Sequence, residues 1–133
     1  MLESLAAATL LAINWNRKAP FINPMCGSST VAIEAALLAT NRRPGLLRDN
    51  YGFKHVLGFE EEYYKKEKGK LFAQITDVPD LKIIASDISQ DAINISKINA
   101  GAAGVENLIK FMVCDFEETE ISIHEPGIVY LNP

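Results

Sequence analysis

The sequence is poor in the features that mark secreted, membrane-bound or metal-binding proteins. Its 133 residues include only two cysteines, Cys26 and Cys114, which form neither a disulfide framework nor a metal-ligand spacing. No apolar run approaches the ~18 residues that suggest a membrane span, and Glu3 precedes the first apolar stretch, where a secretory signal would carry basic residues. We therefore expect a reduced, cytoplasmic protein that makes no membrane contact.

An excess of positive charge is also missing. Lys and Arg number 13 against 17 Asp and Glu, which gives a formal net charge of −4. The chain as a whole therefore lacks the basic surface typical of a nucleic-acid binder. Basic residues cluster at Arg42, Arg43 and Arg48, and again over 65–70, where interleaved glutamates favour a solvated helix face. The arginine cluster fits an ordinary surface and a binding surface about equally.

The sequence does contain an alternation of strand and helix patterns. Helical spacing is predicted over 2–13, 29–40, 60–75 and 89–102, the last with Ala92, Ile95, Asn99 and Ala102 in line. Short apolar runs predict strands over 18–22, 81–86, 109–114 and 127–131, and a Pro-, Gly- and Asn-rich loop spans 41–59. Strands alternating with helices imply an α/β fold with a parallel sheet and right-handed crossovers.

Each predicted strand runs into polar residues. In chain order these are Asn23-Pro24, Asp87, Asp115 and Asn132-Pro133. The carboxyl ends of parallel strands meet at one edge of a sheet, and open α/β sheets bind their ligands outside that edge. The sequence therefore predicts a ligand site on this rim.

The loop after the first strand joins it to an apolar helix. Gly27 allows a positive φ angle or a close approach of the backbone to a ligand, and the helix start supplies N–H groups that favour an anion or acceptor. Ser28, Ser29 or Thr30 can cap this helix. The loop is neither a Walker loop nor a G-x-G-x-x-G loop, and a tight turn without a ligand explains it equally well.

The two strand-end aspartates suit an adenosine group. Asp87 stands where a carboxylate accepts from both hydroxyls of a ribose, although a helix cap is the alternative. Asp115 can accept from an exocyclic amine while Phe116 packs on the base, although a turn aspartate is again the alternative. Ribose and adenine without a phosphate loop indicate an adenosine-containing cofactor.

Four segments then resemble, in order and spacing, the successive motifs of the class I S-adenosylmethionine-dependent methyltransferases. They read NPMCGSSTVAIEAALLATNRRPGLLR, IIASDISQDAINISKINAGAAGV, IKFMVCDFEE and GIVYLNP. The most similar group follows a THUMP RNA-binding module and modifies guanine N2 in ribosomal or transfer RNA. The resemblance covers nearly the whole chain from Leu2, and it implies a Rossmann-like fold with a truncated parallel sheet and helices on both faces.

The resemblance also implies S-adenosylmethionine as the cofactor and assigns a role to individual residues, with no metal. Asn132 and the carbonyl of Pro133 would accept hydrogen bonds from the target amine and aim its lone pair at the methyl group. The implied cofactor-binding residues are Asn23, Pro24, Met25, Cys26, Gly27, Ser28, Ser29, Thr30, Asp87, Ile88, Asp115 and Phe116.

Two residues depart from the family pattern. Asn23 stands where the family usually has an aspartate, which removes a carboxylate that would neutralise the cofactor's ammonium group but keeps an acceptor oxygen. Ser29 stands where the family usually has a glycine, which is expected to put a side chain where the loop backbone normally lies bare.

The resemblance further implies that residues 1–133 are a partial methyltransferase domain, the cofactor-binding half, ending inside an N-P-P-Y motif. We thus predict a fragment of an RNA guanine-N2 methyltransferase that binds rRNA or tRNA through modules outside this chain and is inactive alone. An adenine-N6 DNA methyltransferase and a non-catalytic fragment with a vestigial cofactor site are the alternatives. The fourth strand, left as an open apolar edge, is expected to promote self-association.

Overall fold

The computed structural model describes residues 1–121 and 125–132, and it contains every predicted helix and strand. The elements are α1 (Glu3–Ala12), β1 (Phe21–Asn23), α2 (Thr30–Ala39), α3 (Glu61–Phe72), β2 (Ile83–Asp87), α4 (Gln90–Ala103), β3 (Ile109–Val113) and β4 (Ile128–Val129). Their ends differ from the predicted ones by a few residues, and β4 is shorter than the predicted strand. Within the described ranges, no helix is long and apolar enough to cross a membrane.

The strands form one parallel sheet in the order β3-β2-β1-β4. Phe21 of β1 pairs in register with Ile83 of β2, which pairs with Ile109 of β3. Because every strand runs the same way, the carboxyl ends of all four lie at one edge. The predicted parallel α/β sheet is therefore confirmed.

The hydrophobic core lies on one face of this sheet. Phe21, Ile83 and Ala85 point to that face and pack with α1, α2 and α4 in a single buried cluster. Eight of the ten residues of α2 are buried, as expected for a helix that is apolar on most sides. Trp15 belongs to the same cluster and packs against β1, with its ring centroid 5.2 Å from that of Phe21.

The other face of the sheet differs from the prediction. Helices are expected on both faces, but within residues 1–121 and 125–132 the helices that pack in the core cluster, α1, α2 and α4, lie on the same face. The second face presents Ile22, Ile84 and Lys110 in register and lines a groove of 680 Å³ that reaches Ile121. The described part of the β3–β4 connection forms a 3-10 turn, Phe116–Glu118, in place of a crossover helix.

Helix α4 is rotated relative to the predicted stripe. Its buried residues are Ile93, Ser96, Ala100 and Ala103, one position later than the predicted line, and Ile95 is 50% exposed. Both lines have helical spacing and mostly small or apolar members, so periodicity alone does not separate them. The predicted cap is confirmed, since the Ser89 hydroxyl accepts from the amide of Ala92 at 3.3 Å.

Most of the segment between α2 and β2 lies outside the core, although Leu46 is buried and Leu81 packs against the core cluster. None of the residues of α3 is buried, so the predicted solvated lysine face is confirmed. The preceding loop contains the 3-10 turns Pro44–Leu47 and Gly52–His55. Its aromatic rings pack with α3, and the Lys54 ammonium lies 4.2 Å from the ring centroid of Tyr64.

Strand β4 is held against β1 by a short, tight contact. The amides of Ile128 and Tyr130 donate to the carbonyls of Pro20 and Ile22, each at 2.8 Å. A Cβ atom on Gly127 would lie 2.6 Å from the Pro20 carbonyl oxygen, so a side chain there would push β4 away. Among the described residues β4 pairs with β1 alone, and Val129 is 48% exposed.

Candidate active site

The loop after β1 folds back over the end of β2. The Cys26 amide donates to the Ser86 carbonyl at 2.9 Å, and the Gly27 amide donates to Asp87 Oδ2 at 2.9 Å. Gly27 has a φ of 55°, the left-handed conformation that is one of the two roles the sequence allows for it. The first two strand ends are thus joined by backbone and carboxylate contacts.

Asp87 performs a structural role in this arrangement and keeps capacity for a ligand. Its Oδ1 accepts from the Ser89 amide at 3.0 Å, while Oδ2 accepts from Gly27. An ionised carboxylate has about four acceptor positions, so both oxygens can still accept from hydroxyl groups. Asp87 is half-buried and the adjacent Ile88 is 74% exposed on the rim.

Ser29 lies behind the loop rather than on its ligand side. It adopts the left-handed conformation, with a φ of 58°, and its side chain is fully buried. Its hydroxyl donates to Ser96 Oγ at 2.8 Å, and Ser96 Oγ donates to the Gly27 carbonyl at 2.8 Å. The expectation that this side chain would cover bare backbone is therefore wrong, because the left-handed turn directs it into the protein.

The start of α2 carries no side-chain cap, unlike the prediction. Ser29 occupies the cap position but makes no capping hydrogen bond, and Ser28 Oγ lies 3.3 Å from Thr30 Oγ1. The first amides of a helix have no intrahelical acceptor. The amide end of α2 is thus left available to an anion or a carboxylate.

A cavity of 160 Å³ lies between this helix start and the end of β4. Asn23, which is 3% exposed, contributes a buried Oδ1 that has no hydrogen-bond partner among the described residues. Asn23 and the start of α2 thus bring an unpaired buried acceptor and free helix amides to the residues around the cavity, a pairing that suits the ammonium and carboxylate of an amino acid. It is lined by Met1, Asn23, Met25, Cys26, Gly27, Ser28, Thr30, Val31 and Asn132.

Cys26 lines this cavity with an uncharged thiol. Burial and the nearby Asp87 carboxylate raise the pKa of the Cys26 thiol above its ordinary value. A thiol with a raised pKa is a poor nucleophile at neutral pH. The residue therefore contributes shape and polarity rather than covalent chemistry. Pro24 is buried beside it at the end of β1.

Asp115 and Phe116 lie on the same edge, one strand beyond Asp87. The Cys114 amide donates to the Asp87 carbonyl at 3.1 Å, which fixes the end of β3 beside that of β2. Asp115 is exposed and its Oδ1 accepts from the Glu117 amide at 3.0 Å, so the turn role is present. Phe116 is 49% exposed. Neither residue lines the 160 Å³ cavity.

The fourth strand brings Asn132 to the cavity, where it faces the loop after β1. Pro133 lies outside the described residues. The described residues contain no group of three or more His, Cys, Asp or Glu side chains that could hold a metal ion.

The sequence-based prediction omits Met1 and Val31, which line the cavity, and two groups that support the site. Ser96 supports the loop through Ser29 and Gly27, and the Tyr130 carbonyl accepts from Asn23 Nδ2 at 3.0 Å. A serine between Ile93 and Ala100 at helical spacing is a signal for the role of Ser96, because a polar residue on a buried face needs an internal partner. The Tyr130 carbonyl is a backbone group, so its role cannot be recognised from the residue type.

The chain has relatives of known description. All 133 residues match the family model UPF0020, described as an RMKL-like methyltransferase domain. Proteins described as ribosomal RNA large subunit methyltransferase K/L include one from Pseudoalteromonas atlantica, 41% identical over 134 residues, and one from Buchnera aphidicola, 36% identical over 137 residues. The alignments cover 98% of this chain but only 19% and 20% of those proteins.

Solved structures agree with this match. A methyltransferase crystallised in complex with SAH superimposes with a TM-score of 0.90 at 29% identity, covering 98% of this chain and 34% of that one. A Listeria monocytogenes protein described as a predicted N6-adenine-specific DNA methylase gives a TM-score of 0.89 at 30% identity, covering 100% of this chain and 34% of that one. The chain thus spans about a third of these structures.

Proposed function

Since the chain belongs to the UPF0020 family of RMKL-like methyltransferase domains, we propose that its 133 residues form the cofactor-binding part of an S-adenosylmethionine-dependent methyltransferase. The target we propose is an exocyclic amine of an RNA base, guanine N2 in ribosomal RNA. The observation that carries the proposal is the convergence of Asn23, the Met25–Ser28 loop, Asp87 and Asn132 on one rim of a parallel sheet.

The residues on this rim fit the proposed cofactor. The unpaired Asn23 Oδ1 is an acceptor for an ammonium group, and the uncapped start of α2 is a donor set for a carboxylate. Asp87 has acceptor positions for ribose hydroxyls, with Asp115 and Phe116 one strand further along for an adenine ring. Bound S-adenosylmethionine would supply an electrophilic methyl group.

The chain's own part in the reaction is to bind and orient. An exocyclic amine is a weak nucleophile because its lone pair is delocalised into the base. Acceptors that hold its hydrogens favour a pyramidal nitrogen with the lone pair directed outward, and a fixed orientation lowers the barrier. The Asn132 side chain, with the Pro133 carbonyl, is our proposed acceptor pair. No covalent step on the protein is needed.

The proposed RNA target draws support from the relatives described as ribosomal RNA methyltransferases. The second candidate is adenine N6 in DNA, supported by the Listeria monocytogenes structure and by the fact that an asparagine acceptor suits either amine. Methyl transfer to unmodified ribosomal RNA and to duplex DNA, measured with the chain in its full-length context, separates the two. These residues span about a fifth of the curated relatives, and we propose further that RNA-binding modules lie outside them. We also propose that the protein acts in the cytoplasm, where its proposed ribosomal RNA target is found.

Cofactor binding is tested directly with the 133-residue chain. We expect calorimetry to detect S-adenosylhomocysteine binding, and we expect Asp87→Ala to weaken it by about 1.5–3 kcal/mol, the range for hydrogen bonds to a charged group. Asp91→Ala is the matched control, because Asp91 is an exposed carboxylate in the first turn of α4. If the folded wild-type chain gives no binding, the non-catalytic alternative is favoured.

A further inference from the structure

The Asn23 side chain faces two ways. Its Nδ2 donates to the Tyr130 carbonyl at 3.0 Å, and its buried Oδ1 has no hydrogen-bond partner within 1–121 and 125–132, while the residue as a whole lines the cavity. The orientation of the amide follows from chemistry, because only the nitrogen can donate to a carbonyl. One residue thus contacts both the cofactor pocket and the end of β4.

The contact with Tyr130 extends a strand pairing that is otherwise short. Strand β4 pairs with β1 through Ile128 and Val129, and β1 ends at Asn23. The Asn23 side chain supplies one more hydrogen bond beyond the Tyr130 amide, where backbone pairing stops. Asn132 follows two residues later and lines the same cavity.

We propose that Asn23 is a positioning residue that fixes the end of β4, and with it Asn132, against the cofactor pocket. This inference rests on the proposed function for the role of Asn132, but the contact itself is a property of the folded chain. An ionised aspartate at this position would put a negative oxygen against the Tyr130 carbonyl, where both groups are acceptors. The family residue is therefore not equivalent here unless it carries a proton.

The test compares Asn23→Asp and Asn23→Ala with wild type by amide hydrogen exchange, without cofactor. At pH 7.5 we expect Asn23→Asp to lower protection of the Ile128 and Tyr130 amides by about tenfold or more, the effect of losing one hydrogen bond. At pH 5 we expect Asn23→Asp to recover, because a carboxyl group in a desolvated site has a raised pKa and its protonated form donates again. In Asn23→Ala the side chain cannot donate at either pH, so the Ile128 and Tyr130 amides should keep their lowered protection at both pH values.

Asn99→Asp is the matched control. Asn99 Nδ2 donates to the Ser28 carbonyl at 3.3 Å, so it makes the same kind of side-chain amide contact to a backbone carbonyl, but to the loop after β1 and not to Tyr130. The amide of Ala100, a fully buried residue inside α4, is the reference for global unfolding. Unchanged protection of Tyr130 in Asn23→Asp, or an equal loss at Ala100, overturns the proposal.

Binding of S-adenosylhomocysteine by the wild-type chain is measured separately. A chain that binds no cofactor but shows the pH-dependent exchange contradicts the proposed function alone. A chain that binds cofactor, and binds it more tightly as Asn23→Asp with Tyr130 fully protected, contradicts the positioning role alone.

Discussion

At the scale of single residues, two serine hydroxyls support the loop that faces the cavity. Ser29 donates to Ser96, and Ser96 donates to the Gly27 carbonyl. Both side chains are fully buried, so this relay is shielded from water. Gly27 in turn donates to Asp87, and the relay therefore fixes the loop relative to the end of β2.

We expect Ser29→Ala to lower the free energy of unfolding by about 1 kcal/mol, because it removes a buried hydrogen bond and keeps the left-handed backbone. Ser29→Gly should lie closer to wild type, since glycine adopts this conformation at about 1 kcal/mol lower cost. Urea denaturation measures both, with Ser28→Ala as the control for a half-buried hydroxyl of the same loop. If Ser29→Gly is as unstable as Ser29→Ala, the expected gain from the lower cost of the left-handed backbone in glycine is contradicted.

The residues at the strand ends were predictable because they follow from sequence order alone. Apolar runs ending at Asn23, Asp87 and Asp115 put these side chains on one rim once the strands are parallel. The inward direction of Ser29 was not predictable, because it depends on a φ of 58° and on a partner 67 positions away. Family resemblance identified the residue but placed its side chain on the wrong side of the loop.

At the scale of elements, helix α2 contains one buried acidic residue among its apolar side chains. Glu34 is 8% exposed, and burial together with the neighbouring Glu3 raises the pKa of its carboxyl above the ordinary 4.5. The unfolded chain releases this proton more readily than the folded chain does. The ionised form therefore opposes folding, whereas the protonated carboxyl favours it. The contribution of the protonated carboxyl to stability is fully present below pH 4.5 and is lost as the pH rises through the raised pKa.

We predict that Glu34→Gln stabilises the chain at pH 7.5 and that its advantage over wild type disappears at pH 4 and below. Denaturant unfolding at several pH values measures the difference, in which the titration of the other carboxylates cancels. Glu62→Gln is the control, because Glu62 is exposed on α3. A pH-independent difference for Glu34→Gln would show that shape rather than charge is responsible.

The presence of each helix and strand was predictable because the periodicities are strong. Which residues of a helix face the core, and which face of the sheet the helices cover, was not predictable. The stripe of α4 was placed one residue early, since two adjacent stripes satisfy the same spacing. The family resemblance suggested helices on both faces. The second face instead has the Ser86–Thr119 hydroxyl contact at 2.6 Å and an open groove beyond it.

At the scale of the whole molecule, the sheet has an exposed margin at β4. Val129 is 48% and Leu131 is 51% exposed, and exposed apolar edges recruit further strands. We expect the 133-residue chain alone to self-associate in sedimentation as its concentration rises, reaching at least twice the monomer mass. Val129→Lys should shift the population towards monomer, while Ile95→Lys, on the exposed face of α4, should not. A wild-type chain that stays monomeric would contradict this.

The pairing of β1 with β4 also has a consequence for the order of events during synthesis. Asn23 and Tyr130 are 107 positions apart, and at about 5–20 residues per second the ribosome needs roughly 5–20 s to make the chain between them. Synthesis of the roughly 43 positions from Asp87 to Tyr130 takes about 2–9 s at this rate, so β1, the Gly27 loop and β2 all exist before β4 does. The cavity can close only after that interval, because it needs the strand that brings Asn132.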